Sequence, residues 1–404
     1  MSGPPRIVLY AELLSNIRQV SVGCSLSSAC ATTTEASLSP DGQQLTVRHE
    51  GEECAVQLPG KVSAPTKLPM QTRDSRNLSW RLPLAGAAPM RFIPPSQLDS
   101  QTVAWSASEL PVGGIIKCRD CQAMVIGEGT INAWKDLPSE NWAEMMEFWH
   151  CHKPDNADHD HLHGQTESEE HLAGRGYGAN SRIAGKAGTG FVDLSSLLFL
   201  EKDCANLTPT ETNTASKESS SSTKHGSPVT CSKCSSEIGA IHVETSSVTL
   251  YKWQVTISSP ESKVDLQPQP TLANCVASML ASTLSRSGCS KSIILPIGAS
   301  SSSLSQSGES LLHIWLFNGN ISFTSSVVES KKPIPAVKVL YRFVTKAEAD
   351  RLSDSITSDV QEITLPIPAV RGLRHLLERS NQWLPSGDRL FREWTVGLLE
   401  KWNA

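Results

Sequence analysis

The chain has 404 residues, 39% hydrophobic and 19% charged, which fits a globular protein of two or three domains. A net charge of -5 argues against general nucleic-acid binding, because neutralising phosphates needs a basic surface. No apolar run reaches the ~18 residues of a membrane span, residues 1–6 lack the apolar core of a signal peptide, and 11 cysteines, an odd number, fit a reducing compartment better than a disulfide framework.

Residues 1–115 read as a β-rich domain. Strands are expected at 6–14, 44–49 and 54–58, with Gly51 turning the chain between the last two. Prolines at 59, 65, 69, 83, 89, 94 and 95 keep helices out. Residues 116–205 carry a Cys-x-x-Cys element, a Trp-rich helix motif and a polar loop rich in His and acidic residues. The apolar stretch 191–200 suits a strand or a short helix. Residues 206–229 are rich in Ser and Thr and bury too little apolar surface to offset their ordering entropy, so a linker is expected there.

Residues 230–404 form the expected C-terminal domain. A strand containing Trp253 spans 248–257, and a helix spans 271–284. Residues 311–317 and 321–323 flank Asn318-Gly319-Asn320 and read as a hairpin, since Asn-Gly favours tight turns. A strand follows at 336–344. Thr345-x-x-Glu348 is a capping-box pattern that opens a helix to about residue 356. Two more helices are expected at 369–384 and 388–402. In the last, Leu390, Trp394, Leu398 and Trp402 recur every four residues. The expected class is α+β: a β-rich N-terminal domain with zinc knuckles, then a C-terminal domain of strands followed by helices.

Cys118-Arg119-Asp120-Cys121 and Cys231-Ser232-Lys233-Cys234 are the first chemical constellation. Two residues between cysteines let both thiolates face one ion from a tight turn, and two such turns complete a tetrahedral structural zinc site. Zinc shared by both would tie the N-terminal part of the chain to the C-terminal part. Two unrelated cysteine pairs, or a redox pair, are the alternatives.

The second constellation is the run from Asp136 to Pro154. Trp142, Met145, Met146 and Trp149 share one helical face. Such a stripe is either core or a binding surface. Pro154 ends the helix, which leaves His150, Cys151 and His152 at its C-terminus. The negative end of a helix dipole disfavours a thiolate there. Cys151 is therefore a metal ligand or partner-facing anchor, an ordinary buried cysteine, or a nucleophile, with an external cation fitting the first reading. The histidines at 159, 161, 163 and 171 sit among acidic residues, either as ligands or as a solvated loop.

The 136–154 run resembles the signature of the HECT-like ubiquitin-protein ligase family that binds ubiquitin-conjugating enzymes. Residues 391–400 (Phe391-Arg392-Glu393-Trp394-Thr395-Val396-Gly397-Leu398-Leu399-Glu400) resemble its C-terminal motif, and the two Cys-x-x-Cys elements match its layout. The resemblance implies a protein that engages a ubiquitin-conjugating enzyme and promotes transfer of ubiquitin to cyclin-type substrates. It also implies that residues 231–250 contact the conjugating enzyme. His150-Cys151-His152 resembles a short motif shared with partners of pre-mRNA 3′-end-processing nucleases. That likeness implies an assembly factor or protector whose Cys151 reaches a zinc site in the nuclease. True HECT ligases carry a catalytic cysteine late in the C-terminal lobe. Here the last cysteines are Cys275 and Cys289, and both read as structural. The expected location is cytoplasmic, with nuclear access.

Overall fold

The computed structural model describes residues 7–70, 75–86, 103–137, 183–210, 226–261, 264–297, 310–330, 332–354 and 359–403. Residues 138–154 of the Trp-rich run lie outside them, and with them Trp142, Met145, Met146, Trp149, His150, Cys151 and His152, as do His159, His161, His163 and His171. The chain forms two compact units. One comprises Met1–Ala104 with Thr271–Ala404, and the other Trp105–Pro270. This division differs from the four consecutive segments drawn from the sequence. Residues from both ends of the chain share a sheet, because Ile7–Leu14 pairs antiparallel with Leu311–Ser325. The described residues are mostly β-sheet, with three α-helices, compatible with the α+β class.

In the first unit, the fifteen-residue strand Leu311–Ser325 pairs along one edge with Ile334–Val344. Its other edge is shared. The first part pairs with Lys291–Pro296, and the last part with Ile7–Leu14. The Asn318-Gly319-Asn320 sequence therefore does not close a hairpin. The runs on either side of it pair with the same neighbour, and the extra residues are absorbed as register shifts between Leu316 and Ile321. Gln19–Leu26 and Asn77–Pro83 continue the sheet beyond Ile7–Leu14, and Trp394–Glu400 and Leu390–Phe391 continue it beyond Ile334–Val344. Strand Val360–Leu365 runs parallel to Lys291–Pro296. A smaller sheet of Glu35–Leu38, Gln44–His49 and Glu52–Gln57 shares a core with the first strands, centred on Leu9, Val22, Leu45 and Trp80.

Helix α1 (Leu272–Ser287) begins with a capping box between Thr271 and Asn274 and ends at Gly288, whose φ of 71° only glycine adopts cheaply. Helix α2 (Lys346–Ser353) starts where the Thr345 side chain accepts from the Glu348 amide, as the sequence predicts. Helix α3 (Ile367–Asn381) fits the third predicted helix.

The fourth predicted helix is instead the strand Trp394–Glu400. A spacing of four satisfies the strand period of two as well as the helical one. Trp394, Val396 and Leu398 enter one core cluster. The end of α3 holds this strand directly: Ser380 Oγ accepts from the Leu398 amide at 2.9 Å, and Asn381 Nδ2 donates to the Val396 carbonyl at 2.8 Å.

The second unit contains a seven-stranded sheet in the order Leu207–Pro209, Ser227–Cys231, Glu237–His242, Ser247–Tyr251, Ser196–Leu200, Thr189–Val192 and Ala133–Asp136. The outer residues of the expected 206–229 linker are thus strand, paired from Leu207 to Cys231. The apolar 191–200 stretch is two antiparallel strands. A three-stranded sheet joins Val255–Ser258, Ile115–Cys118 and Met124–Ile126. The strand expected at 248–257 is interrupted by a 3-10 turn, Lys252–Gln254, where Tyr251 and Trp253 stack with ring centroids 4.9 Å apart.

One buried charge pair crosses the first unit's sheet. Glu12, 7% exposed, accepts from the Tyr10 hydroxyl at 2.8 Å and forms an ion pair with Lys338. Burial, reinforced by Glu12, pushes the Tyr10 hydroxyl well above its ordinary value. Lys338→Met leaves Glu12 buried without its cation, and urea unfolding should show a loss of about 3–5 kcal/mol. The double variant Glu12→Gln, Lys338→Met removes both charges and should recover most of that loss.

Candidate metal centre

Each Cys-x-x-Cys element is the turn of a β-hairpin. The first lies between Ile115–Cys118 and Met124–Ile126, the second between Ser227–Cys231 and Glu237–His242. The two turns repeat one hydrogen-bond pattern. The Cys118 carbonyl accepts from Gln122 N at 2.9 Å, and Cys118 N donates to the Ala123 carbonyl at 2.8 Å. In the second turn the Cys231 carbonyl accepts from Ser235 N at 2.8 Å, and Cys231 N donates to the Ser236 carbonyl at 2.9 Å. The residue after each second cysteine is left-handed, Gln122 at φ 60° and Ser235 at φ 61°. This bend swings both sulfurs of a turn to the same side.

The four sulfurs converge, all within 4.8 Å of one another. Cys118 Sγ lies 3.7 Å from Cys234 Sγ, and Cys121 Sγ lies 3.6 Å from Cys231 Sγ. A disulfide would bring sulfurs to about 2.05 Å. Four thiolates at ~2.3 Å from a tetrahedral ion would stand about 3.8 Å apart. The observed spacing matches the second geometry, so the four cysteines can hold a metal ion. Cys118 and Cys231 are fully buried, and Cys121 faces solvent. Without an ion, burial pushes the Cys118 thiol up to about 12, whereas hydrogen bonds to Ser236 draw Cys234 down to about 6.

Neighbours fix the turns. The Ser236 hydroxyl lies 3.4 Å from Cys234 Sγ and donates to Asp120 Oδ2 at 2.6 Å, which links the two turns to each other. The Arg119 guanidinium donates to the carbonyls of Pro270, Val255 and Lys252 at 2.8, 3.1 and 3.3 Å. These supporting residues escaped the sequence reading. The two x positions of Cys-x-x-Cys tolerate most side chains, and only the fold shows which ones reach a partner. All four cysteines belong to the unit Trp105–Pro270. The expectation that a metal would join the N-terminal part to the C-terminal part is therefore corrected: an ion there would join two hairpins of one unit, 110 residues apart between Cys121 and Cys231.

Burial makes Cys24, Cys54 and Cys204 poor nucleophiles. Burial raises Cys24 and Cys204 to about 12 and also raises Cys54. Cys275 is fully buried in α1, and Cys289 is half-buried just beyond its end. Among the described residues, no helix is long and apolar enough to cross a membrane.

A family model described as HECT-like ubiquitin-conjugating enzyme (E2)-binding matches residues 12–396. An uncharacterized protein of Schizosaccharomyces pombe is 26% identical over 329 residues, covering 77% of this chain and 81% of that protein. An uncharacterized protein of Saccharomyces cerevisiae is 23% identical over 344 residues, covering 84% of each chain. No solved structure matches the chain.

An L-residue in the left-handed conformation costs about 1–2 kcal/mol, which glycine avoids. Ser235→Gly should raise the unfolding free energy by about 0.5 kcal/mol, read from urea denaturation, once glycine's greater unfolded-state freedom is counted. Ser235→Val should lower stability further, because a β-branched side chain is more strained in that conformation than serine.

Proposed function

From its membership of the HECT-like ubiquitin-conjugating enzyme (E2)-binding family, to which this chain belongs, we propose that the protein is a ubiquitin ligase that binds a charged conjugating enzyme and promotes ubiquitin transfer to cyclin-type substrates. The match over residues 12–396 carries this reading, because it spans both compact units rather than one local motif. With the four clustered cysteines committed to a metal ion, the buried cysteines elsewhere favour a scaffold route, in which ubiquitin passes from the conjugating enzyme to a substrate amine without resting on this chain. A thioester intermediate needs an accessible, activated thiolate. Burial works against that at Cys24, Cys54 and Cys204.

The ion proposed for the four-cysteine cluster is zinc. Four thiolates at tetrahedral spacing suit zinc and leave no open coordination position, so its role is structural. Comparable sites contribute about 10–16 kcal/mol in zinc peptides. Elemental analysis of the purified chain should find one zinc per molecule. Cys231→Ser should lose it and unfold at a markedly lower temperature. A metal-free chain with unchanged melting behaviour would overturn the zinc reading.

The contact proposed for the conjugating enzyme is the 231–250 stretch. At its centre the 3-10 turn Val243–Thr245 presents Val243, which is 77% exposed. A large exposed apolar side chain at a turn is suited to desolvation by a partner. The chain should accelerate discharge of ubiquitin from at least one enzyme in a panel of charged conjugating enzymes. Val243→Lys should reduce that acceleration about tenfold, the cost of losing one well-buried interface anchor. Discharge without a reducing-agent-sensitive adduct on the chain would support the scaffold route. An adduct abolished by a single Cys→Ala change would overturn it. No discharge across the panel would overturn the ligase reading itself.

A further inference from the structure

Strand Leu311–Ser325 places His313 and Trp315 on one face of the sheet. Together with Trp394, Lys291, Arg342 and Arg392 they line a cavity of about 480 Å³ in the first unit. His313 is 2% exposed. Its Nδ1 accepts from Arg342 Nε at 3.3 Å, so the ring proton sits on Nε2. Burial, then the nearby Arg342 and Lys291, hold His313 down to about 4, which leaves the ring neutral at physiological pH. Its Nε2–H has no hydrogen-bond acceptor among the described residues. The ring packs against Trp394 in a T-shaped pair with centroids 4.9 Å apart.

The cations around this donor are arranged against the aromatic walls. Lys291 Nζ sits 5.7 Å from the Trp315 ring centre, and the Arg342 guanidinium 5.0 Å from that of Trp394. Their carboxylate partners lie further toward solvent. The Asp359 side chain is 64% exposed against 28% for Lys291, and Glu348 is 42% exposed against 29% for Arg342. Arg392 lies over the Phe391 ring and forms no ion pair among the described residues. Glu393 also faces the cavity and is exposed.

We propose that this cavity is a binding site for an oxyanion carried on a flat apolar group. One oxygen accepts from His313 Nε2. Arg392, with Lys291 and Arg342, answers the charge, and Trp315 and Trp394 cover the apolar part. The site is independent of the four-cysteine cluster and of the ligase reading.

The test titrates the full chain with benzoate, phenyl phosphate and neutral benzamide, followed by tryptophan fluorescence and by the His313 Nε2–H resonance. At least one anion should saturate below about 1 mM, with benzamide at least tenfold weaker. Tighter binding of benzoate identifies a carboxylate ligand, and tighter binding of phenyl phosphate a phosphate ligand. His313→Phe and Arg392→Ala should each weaken the better anion at least tenfold. Arg392 is exposed, so its variant folds even where His313→Phe does not. Failure of both anions to saturate, or binding unchanged in Arg392→Ala with no movement of the His313 resonance, would overturn the proposal.

Discussion

A strand of fifteen residues has to satisfy its backbone hydrogen bonds along two edges, and Leu311–Ser325 does so with three neighbours. Its long partner Ile334–Val344 serves one edge. Lys291–Pro296 and Ile7–Leu14 divide the other. The bulged stretch from Leu316 to Ile321 lets a single strand serve both, because extra residues bend a strand and increase its twist. Much of the first unit follows from this arrangement. The N-terminal strands can share a sheet with the C-terminal ones, and Glu12 comes within reach of Lys338 across the intervening strand. The same strand places His313 and Trp315 beside Trp394.

The second unit depends on a different constraint. Its two hairpin turns bring four sulfurs to non-bonded distances of 3.6–3.7 Å across the pairs. Thiols gain little from one another there, since sulfur is a weak donor and acceptor. A cation converts the same four groups into a closed coordination shell and draws off their protons. The supporting contacts serve this geometry. Arg119 ties the first turn to the backbone at residues 252, 255 and 270, and Ser236 with Asp120 ties the two turns to each other. Membership of an E2-binding family and a four-cysteine cluster fit together, because an ion held by four thiolates would shape a surface rather than perform chemistry.

What the sequence by itself determined lay in local signals. The capping pattern at Thr345 marked a true helix start, because a cap is satisfied by atoms three residues away. The strands at Gln44–His49 and Glu52–Gln57 were legible from alternation and from Gly51. The two Cys-x-x-Cys elements announced a cluster of four sulfurs that could hold a metal ion, since their spacing alone sets how two sulfurs can face one ion. The family was legible as well. Tertiary structure decided whatever depended on distant partners. The Leu390–Trp402 pattern fits both a helix and a strand, and only hydrogen bonding to Ile334–Val344 chose the strand. The Asn318-Gly319-Asn320 sequence suits a turn, but pairing of both its flanks with one neighbour made it a bulged strand. The unpartnered Nε2–H of His313 arises from strands that meet only once the sheet has assembled, and no spacing along the chain encodes it.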